Sequence, residues 1–154
     1  MRQPESTKYP RASIKKEWLT KEESGIIIHV NVKTRYMAYD DGLCVVFFED
    51  TKGNTLTSNS GDSEYLNSEN QIVTTQHFEP EEAKQTIYDI QLFVPYYMFP
   101  IKNAGKIGYD VYVRKKIDGE WEDIAHESDS FDLTRREIES VKFEDDVLPC
   151  DSAK

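Results

Sequence analysis

Ile26-Ile27-Ile28-His29-Val30-Asn31-Val32-Lys33-Thr34-Arg35-Tyr36 decides how this chain is read. Ile26, Ile28, Val30, Val32, Thr34 and Tyr36 fall on one side of an extended strand, and His29, Asn31, Lys33 and Arg35 on the other. A period of two over this length is what a sheet with one dry and one wet face requires. Towards the N-terminus, Ile14, Lys16 and Trp18 alternate with Ser13, Lys15 and Glu17 in a first or edge strand, and residues 21–25 form a turn. Towards the C-terminus, Tyr39-Asp40-Asp41-Gly42 reads as a tight turn, with Asp-Gly supplying a positive φ.

Residues 43–49 are apolar on both faces, which places that strand centrally, with Val46 and Phe48 buried. A hairpin turn follows at residues 50–54, and residues 57–70, rich in Ser, Asn, Asp and Glu, form a long surface loop. Strands are expected at about 71–79 and 85–94, the second closed by Pro95, which cannot donate to a ladder. Ile107, Tyr109, Val111 and Val113 alternate in a further strand; Asp118-Gly119 turns the chain, and a last strand runs over about 121–132. Thr134-Arg135-Arg136-Glu137 fits a capping box and predicts a helix over 135–142. The expected class is therefore all-β: a two-sheet antiparallel β-sandwich of seven or eight strands, immunoglobulin-like or C2-like, with a short C-terminal helix or tail. Residues 1–12 read as a flexible basic arm, 13–133 as the sandwich, and 134–154 as the helix and an acidic tail.

The chain has 154 residues and a formal net charge of −10. Residues 1–17 carry +3 and residues 18–134 carry −11, so the body repels phosphate backbones and nucleic acid is a poor partner. No apolar stretch is long enough to span a bilayer, and the first eight residues hold no apolar signal region; the expectation is a cytoplasmic protein. Cys44 lies in an apolar run and reads as a small buried hydrophobe, while Cys150 lies in the polar tail.

No stretch carries a chemical motif. His29, His77 and His126 fall on three separate strands, and a metal site would need them to converge. The loop carboxylates Asp40-Asp41, Asp62 with Glu64, and Asp118 with Glu120 suit calcium, but hairpin turns favour Asp for backbone reasons, so calcium is disfavoured. Ser60-Gly61 lacks the frame of a nucleophile elbow, no glycine-rich phosphate loop exists, and no nucleophile–base pair is visible; the expectation is no enzyme and no cofactor. Tyr96-Tyr97-Met98-Phe99, between two prolines, breaks the inside–outside alternation. Those four residues either plug one end of the sandwich or form a contact patch for a protein partner.

Trp18, Gly25 to Val30, Val45 to Phe48 with Gly53 to Leu56, Phe78-Glu79-Pro80, Ile90 to Tyr96 and Phe131 together resemble a β-sandwich module of bacterial proteins, over residues 14–133. Leu92-Phe93-Val94-Pro95-Tyr96 is the most specific piece; Tyr97-Met98 replaces the acidic residue and leucine usual there, and Asn67 to Asn70 replaces a glycine segment. The family is appended to kinase, peptidase-like and tetratricopeptide chains, has no assigned catalytic residues, and implies an accessory role. The leading expectation is a non-catalytic protein-interaction module; the alternative is a C2-like sandwich that binds calcium and lipid, or sugar.

Overall fold

The computed structural model describes residues 9–139. Seven strands run in order: β1 (Arg11–Lys21), β2 (Gly25–Arg35), β3 (Gly42–Glu49), β4 (Val73–Phe78), β5 (Lys84–Pro95), β6 (Gly105–Ile117) and β7 (Glu120–Leu133). They form two antiparallel sheets, one of three strands in the order β1-β2-β5 and one of four in the order β4-β3-β6-β7. The chain is an all-β sandwich. Strand β3 crosses from the first sheet to the second, β5 crosses back to pair with β2, and β6 returns beside β3, as in immunoglobulin-like Greek keys.

Alternation determines what each sheet buries. Ile26, Ile28, Val30 and Val32 of β2 are fully buried and face Cys44, Val46 and Phe48 of β3 and Ile107, Tyr109, Val111 and Val113 of β6 across one core cluster. Each Ile, Val or Phe among them contributes about 1.5–3 kcal/mol of transfer free energy. Strand β3 is central, as its doubly apolar sequence demands, lying between β4 and β6. Its outward residues Leu43 and Val45 are also buried, with Arg114 and Tyr112 opposite them on β6. No further layer is needed to cover them: the longer side chains of the same sheet do it.

Two segments differ from the sequence expectation. At residues 39–42 the left-handed residue is Tyr39, at φ 62°, and Gly42 sits inside β3, where a Cβ would lie 2.4 Å from the Phe78 ring. That glycine is required by close packing and not by a turn. Strand β2 stops at Arg35; Tyr36 has φ 61° and leaves the dry face. The Asp118-Gly119 hairpin is as read, with φ 53° and 84°, the geometry of a two-residue reversal.

The capping box is present. The Glu137 amide donates to the Thr134 hydroxyl at 3.1 Å, and Glu137 Oε1 accepts from the Thr134 amide at 2.9 Å. The helical turn over 135–139 seats Ile138 in the core. Strand β1 begins at Arg11, inside the expected arm. Residues 1–8 of that arm, the end of the expected helix, residues 140–154 of the tail and Cys150 lie outside the described residues.

Candidate functional site: the two outer sheet faces

The expected contact run at 96–99 has its side chains mainly inside. Tyr96, Met98 and Phe99 are 3%, 0% and 1% exposed, and Tyr97 is half-buried. After Pro95 ends β5, a 3₁₀ turn over Tyr96–Met98 folds these side chains across the end of the sandwich. The long loop closes over them: Ser60 Oγ donates to Met98 Sδ at 3.1 Å, and the Tyr97 hydroxyl donates to Asp62 at 2.5 Å. Tyr96 reaches the other side, donating to the Glu22 carbonyl at 2.9 Å, and burial raises its pKa to about 12. The plug alternative describes these positions.

The loop carboxylates are engaged locally. Asp62 caps the 3₁₀ turn over Ser63–Tyr65, Asp40 pairs with Lys115 at 3.7 Å, and Asp118 forms the hairpin. Among the described residues no three His, Cys, Asp or Glu side chains gather as a metal group. Burial pushes the Cys44 thiol up to about 12, which makes it an inert part of the core.

The polar chemistry lies on the two outer faces. On the three-stranded sheet, pairing sets Trp18 beside His29 and Lys16 beside Asn31. Trp18 stacks flat on the imidazole, with centroids 4.9 Å apart, and Lys16 Nζ lies 4.9 Å from the Trp18 ring centre. His29 Nδ1 is 2.5 Å from Asp89 Oδ1, and Nε2 is 2.8 Å from the Thr20 hydroxyl. With the proton on Nδ1 directed at the carboxylate, the neutral ring accepts from Thr20 at Nε2. Asp89 occupies a β-bulge at φ 54°, accepts from Gln91 at 2.9 Å, and has its amide held by Asn31 Oδ1 at 2.8 Å. The hydrogen bond from His29, then that from Gln91, holds the Asp89 carboxyl below its ordinary pKa.

This row has the connectivity of a hydroxyl–imidazole–carboxylate relay, which sequence reading missed because its members lie on three strands. Its members are nonetheless engaged with one another: the ring is covered by Trp18, and His29 is only 9% exposed. At the basic end of the same face, Arg11, Ser13, Lys15, Lys33 and Arg35 line an open cleft.

On the four-stranded sheet, His126 stacks on Tyr112 at 4.5 Å, and Tyr112 packs edge-on to Phe47 at 6.2 Å. The Arg114 guanidinium lies 6.0 Å from the Phe47 ring centre and 5.7 Å from that of Tyr112, and its Nε pairs with Asp123 at 2.6 Å. At the far end, Trp121 packs against His77 at 5.8 Å, with Lys116 Nζ over its ring at 5.5 Å. Ser128, His126 and Asp110 also meet here, but Ser128 Oγ (3.2 Å) and Asp110 Oδ1 (3.0 Å) both address Nε2 of His126. A relay needs the carboxylate on the other ring nitrogen, so this trio lacks the arrangement of a catalytic triad.

No protein-family model matches the chain, and no curated protein matches it. Among solved structures, a glycosyl hydrolase family 2 member from Bacteroides cellulosilyticus aligns with 79% of this chain and 14% of that one, at 13% identity and a TM-score of 0.40. The chain thus spans a small part of that protein. A putative late embryogenesis abundant protein aligns over 87% of this chain and 78% of its own, at 12% identity and a TM-score of 0.36. BslA, a bacterial hydrophobin, aligns over 81% and 93%, at 17% identity and a TM-score of 0.29. These likenesses assign no activity or site. No helix among the described residues is long and apolar enough to cross a membrane.

Proposed function

We propose that this protein is a non-catalytic interaction module that takes a protein partner on the outer face of its four-stranded sheet. The observation that carries the reading is the composite of Phe47, Tyr112, Arg114 and Trp121 on one half-buried face. Aromatic residues and arginine are the types that dominate protein–protein contact energy. Phe47 is the outward ring of β3 left half-buried there, whereas the outward positions of β2 on the opposite sheet include Asn31, Lys33 and Arg35. A sugar would need bare ring faces, and here Lys116 lies over Trp121 and His126 over Tyr112. The resemblance of residues 14–133 to an accessory module of kinase, peptidase-like and tetratricopeptide chains supports the same reading.

The test compares partner capture by wild type, Tyr112→Ser/Trp121→Ser and Tyr97→Ser, each first shown to be folded by circular dichroism. The double variant is expected to lose at least tenfold of the captured partner, and Tyr97→Ser to retain it. Full retention by the folded double variant overturns this face as the site.

A further inference from the structure

The outer face of the other sheet carries a basic cluster, independent of the aromatic face. Strand β1 pairs with β2 so that Ser13 lies opposite Lys33; on the far side of β2, Lys84 lies opposite Arg35. Like charges placed directly across a ladder are destabilising. The chain holds 29 acidic residues against 19 basic ones, so carboxylates are abundant, yet residues 11–16 and 33–36 contain none. Among the described residues, the ion pairs do not include Lys15, Lys33, Arg35 or Lys84.

A bulge sharpens the cluster. The β1–β2 register shifts between Ile14 and Lys16, so Lys15 and Lys16 both stay exposed instead of alternating. Lys16 goes to the Trp18 ring, and Lys15 lines the cleft with Ser13, Lys33 and Arg35. The crowding has an electrostatic signature: Arg35 first, then Lys84, lowers the pKa of the exposed Lys33 ammonium.

We infer that the cleft between β1 and β2 binds a compact, multiply charged phosphate group, with Arg35 as a planar fork, Lys15 and Lys33 as point charges and the Ser13 hydroxyl as a neutral donor. An anion there turns mutual repulsion into attraction. The ligand is compact because residues 18–134 carry a net −11, which repels a long polyanion beyond the cleft.

Inorganic pyrophosphate is the probe, titrated by calorimetry at low salt and followed by amide chemical shifts. Wild type should bind saturably, with shifts confined to residues 11–16, 33–35 and 84, and more weakly as salt rises. Lys33→Ala/Arg35→Ala should weaken binding at least tenfold, and Lys15→Ala by a smaller factor. Lys102→Ala/Lys106→Ala, which removes two exposed charges elsewhere, should leave binding unchanged. Absence of saturable binding, or equal loss in the Lys102/Lys106 variant, overturns the site. A single-stranded oligonucleotide or a phosphatidylserine vesicle binding more tightly than pyrophosphate overturns the compact ligand.

Discussion

Each outer face holds a histidine stacked on an aromatic ring beside an aspartate and a hydroxyl, and the two sets behave differently. On the three-stranded sheet, Asp89 and Thr20 address opposite nitrogens of His29, whose side chain is 11% exposed. On the four-stranded sheet, Asp110 and Ser128 converge on one nitrogen of His126, which is 47% exposed. The backbone makes the difference. Asp89 stands on a bulge with a left-handed φ, which presents its carboxylate to Nδ1 of a histidine on the neighbouring strand. Asp110 and Ser128 are direct register partners, and His126 lies two residues from Ser128, so their side chains share one side of the ring. The same residue types form a closed structural clamp in one case and a loose surface cluster in the other.

The comparison has a common scale in the core both sheets share. Phe48 touches Phe99, Phe131 and Tyr109 with ring centroids 5.2, 6.3 and 6.4 Å away. Phe48→Ala should cost about 3–5 kcal/mol in denaturant unfolding, the largest single effect. Next comes His29→Ala, which removes the bonds to Asp89 and Thr20 and uncovers Trp18; about 1–2 kcal/mol is expected. His126→Ala on the opposite face should stay within about 0.5 kcal/mol, since the ring is itself 47% exposed and Asp110 keeps the Ser128 hydroxyl as a partner. Equal losses at the two histidines would break the distinction between clamp and cluster.

A pH effect belongs to the seam where the edges of the two sheets meet. The Tyr109 hydroxyl donates to Glu17 at 2.5 Å; burial first, and then the Asp129 carboxyl, raise Glu17 from 4.5 to about 7. A carboxyl pKa raised on folding favours the protonated native state, so its stabilisation is complete below 4.5 and is lost as pH rises through about 7. Glu17→Gln, which keeps the neutral shape, should flatten the fall of Tm between those pH values and melt higher than wild type at pH 8. An unchanged slope would place the cause in the general negative charge. The smallest expected effect concerns chemistry. Hydrolysis of an activated nitrophenyl ester should be no faster with wild type than with Thr20→Val or His29→Ala; a reproducible gap would turn the clamp into a catalytic row.

Much of the fold was legible because a strand writes its own period into its residues. Ile26 to Arg35, Ile107 to Val113, the Asp118-Gly119 reversal and the Thr134 to Glu137 box all follow from contacts a few residues apart. Gly42 was misread as a turn glycine because its constraint is the Phe78 ring, 36 positions away on β4. The loop at 57–70 read as surface because its composition is polar, but it carries Asp62 and Ser60 onto Tyr97 and Met98.

By itself the sequence determined the class of the molecule, its central strand and the acidity of its body, since periodicity and charge are local or additive properties. Tertiary structure alone decided which side chains work together. Thr20, His29 and Asp89 meet across three strands, Lys15, Lys33, Arg35 and Lys84 crowd one end of the same face, and Tyr112, Arg114 and Trp121 share another. Those meetings depend on strand order, register and three bulges, and a shift of one residue in any ladder would send each side chain to the opposite face.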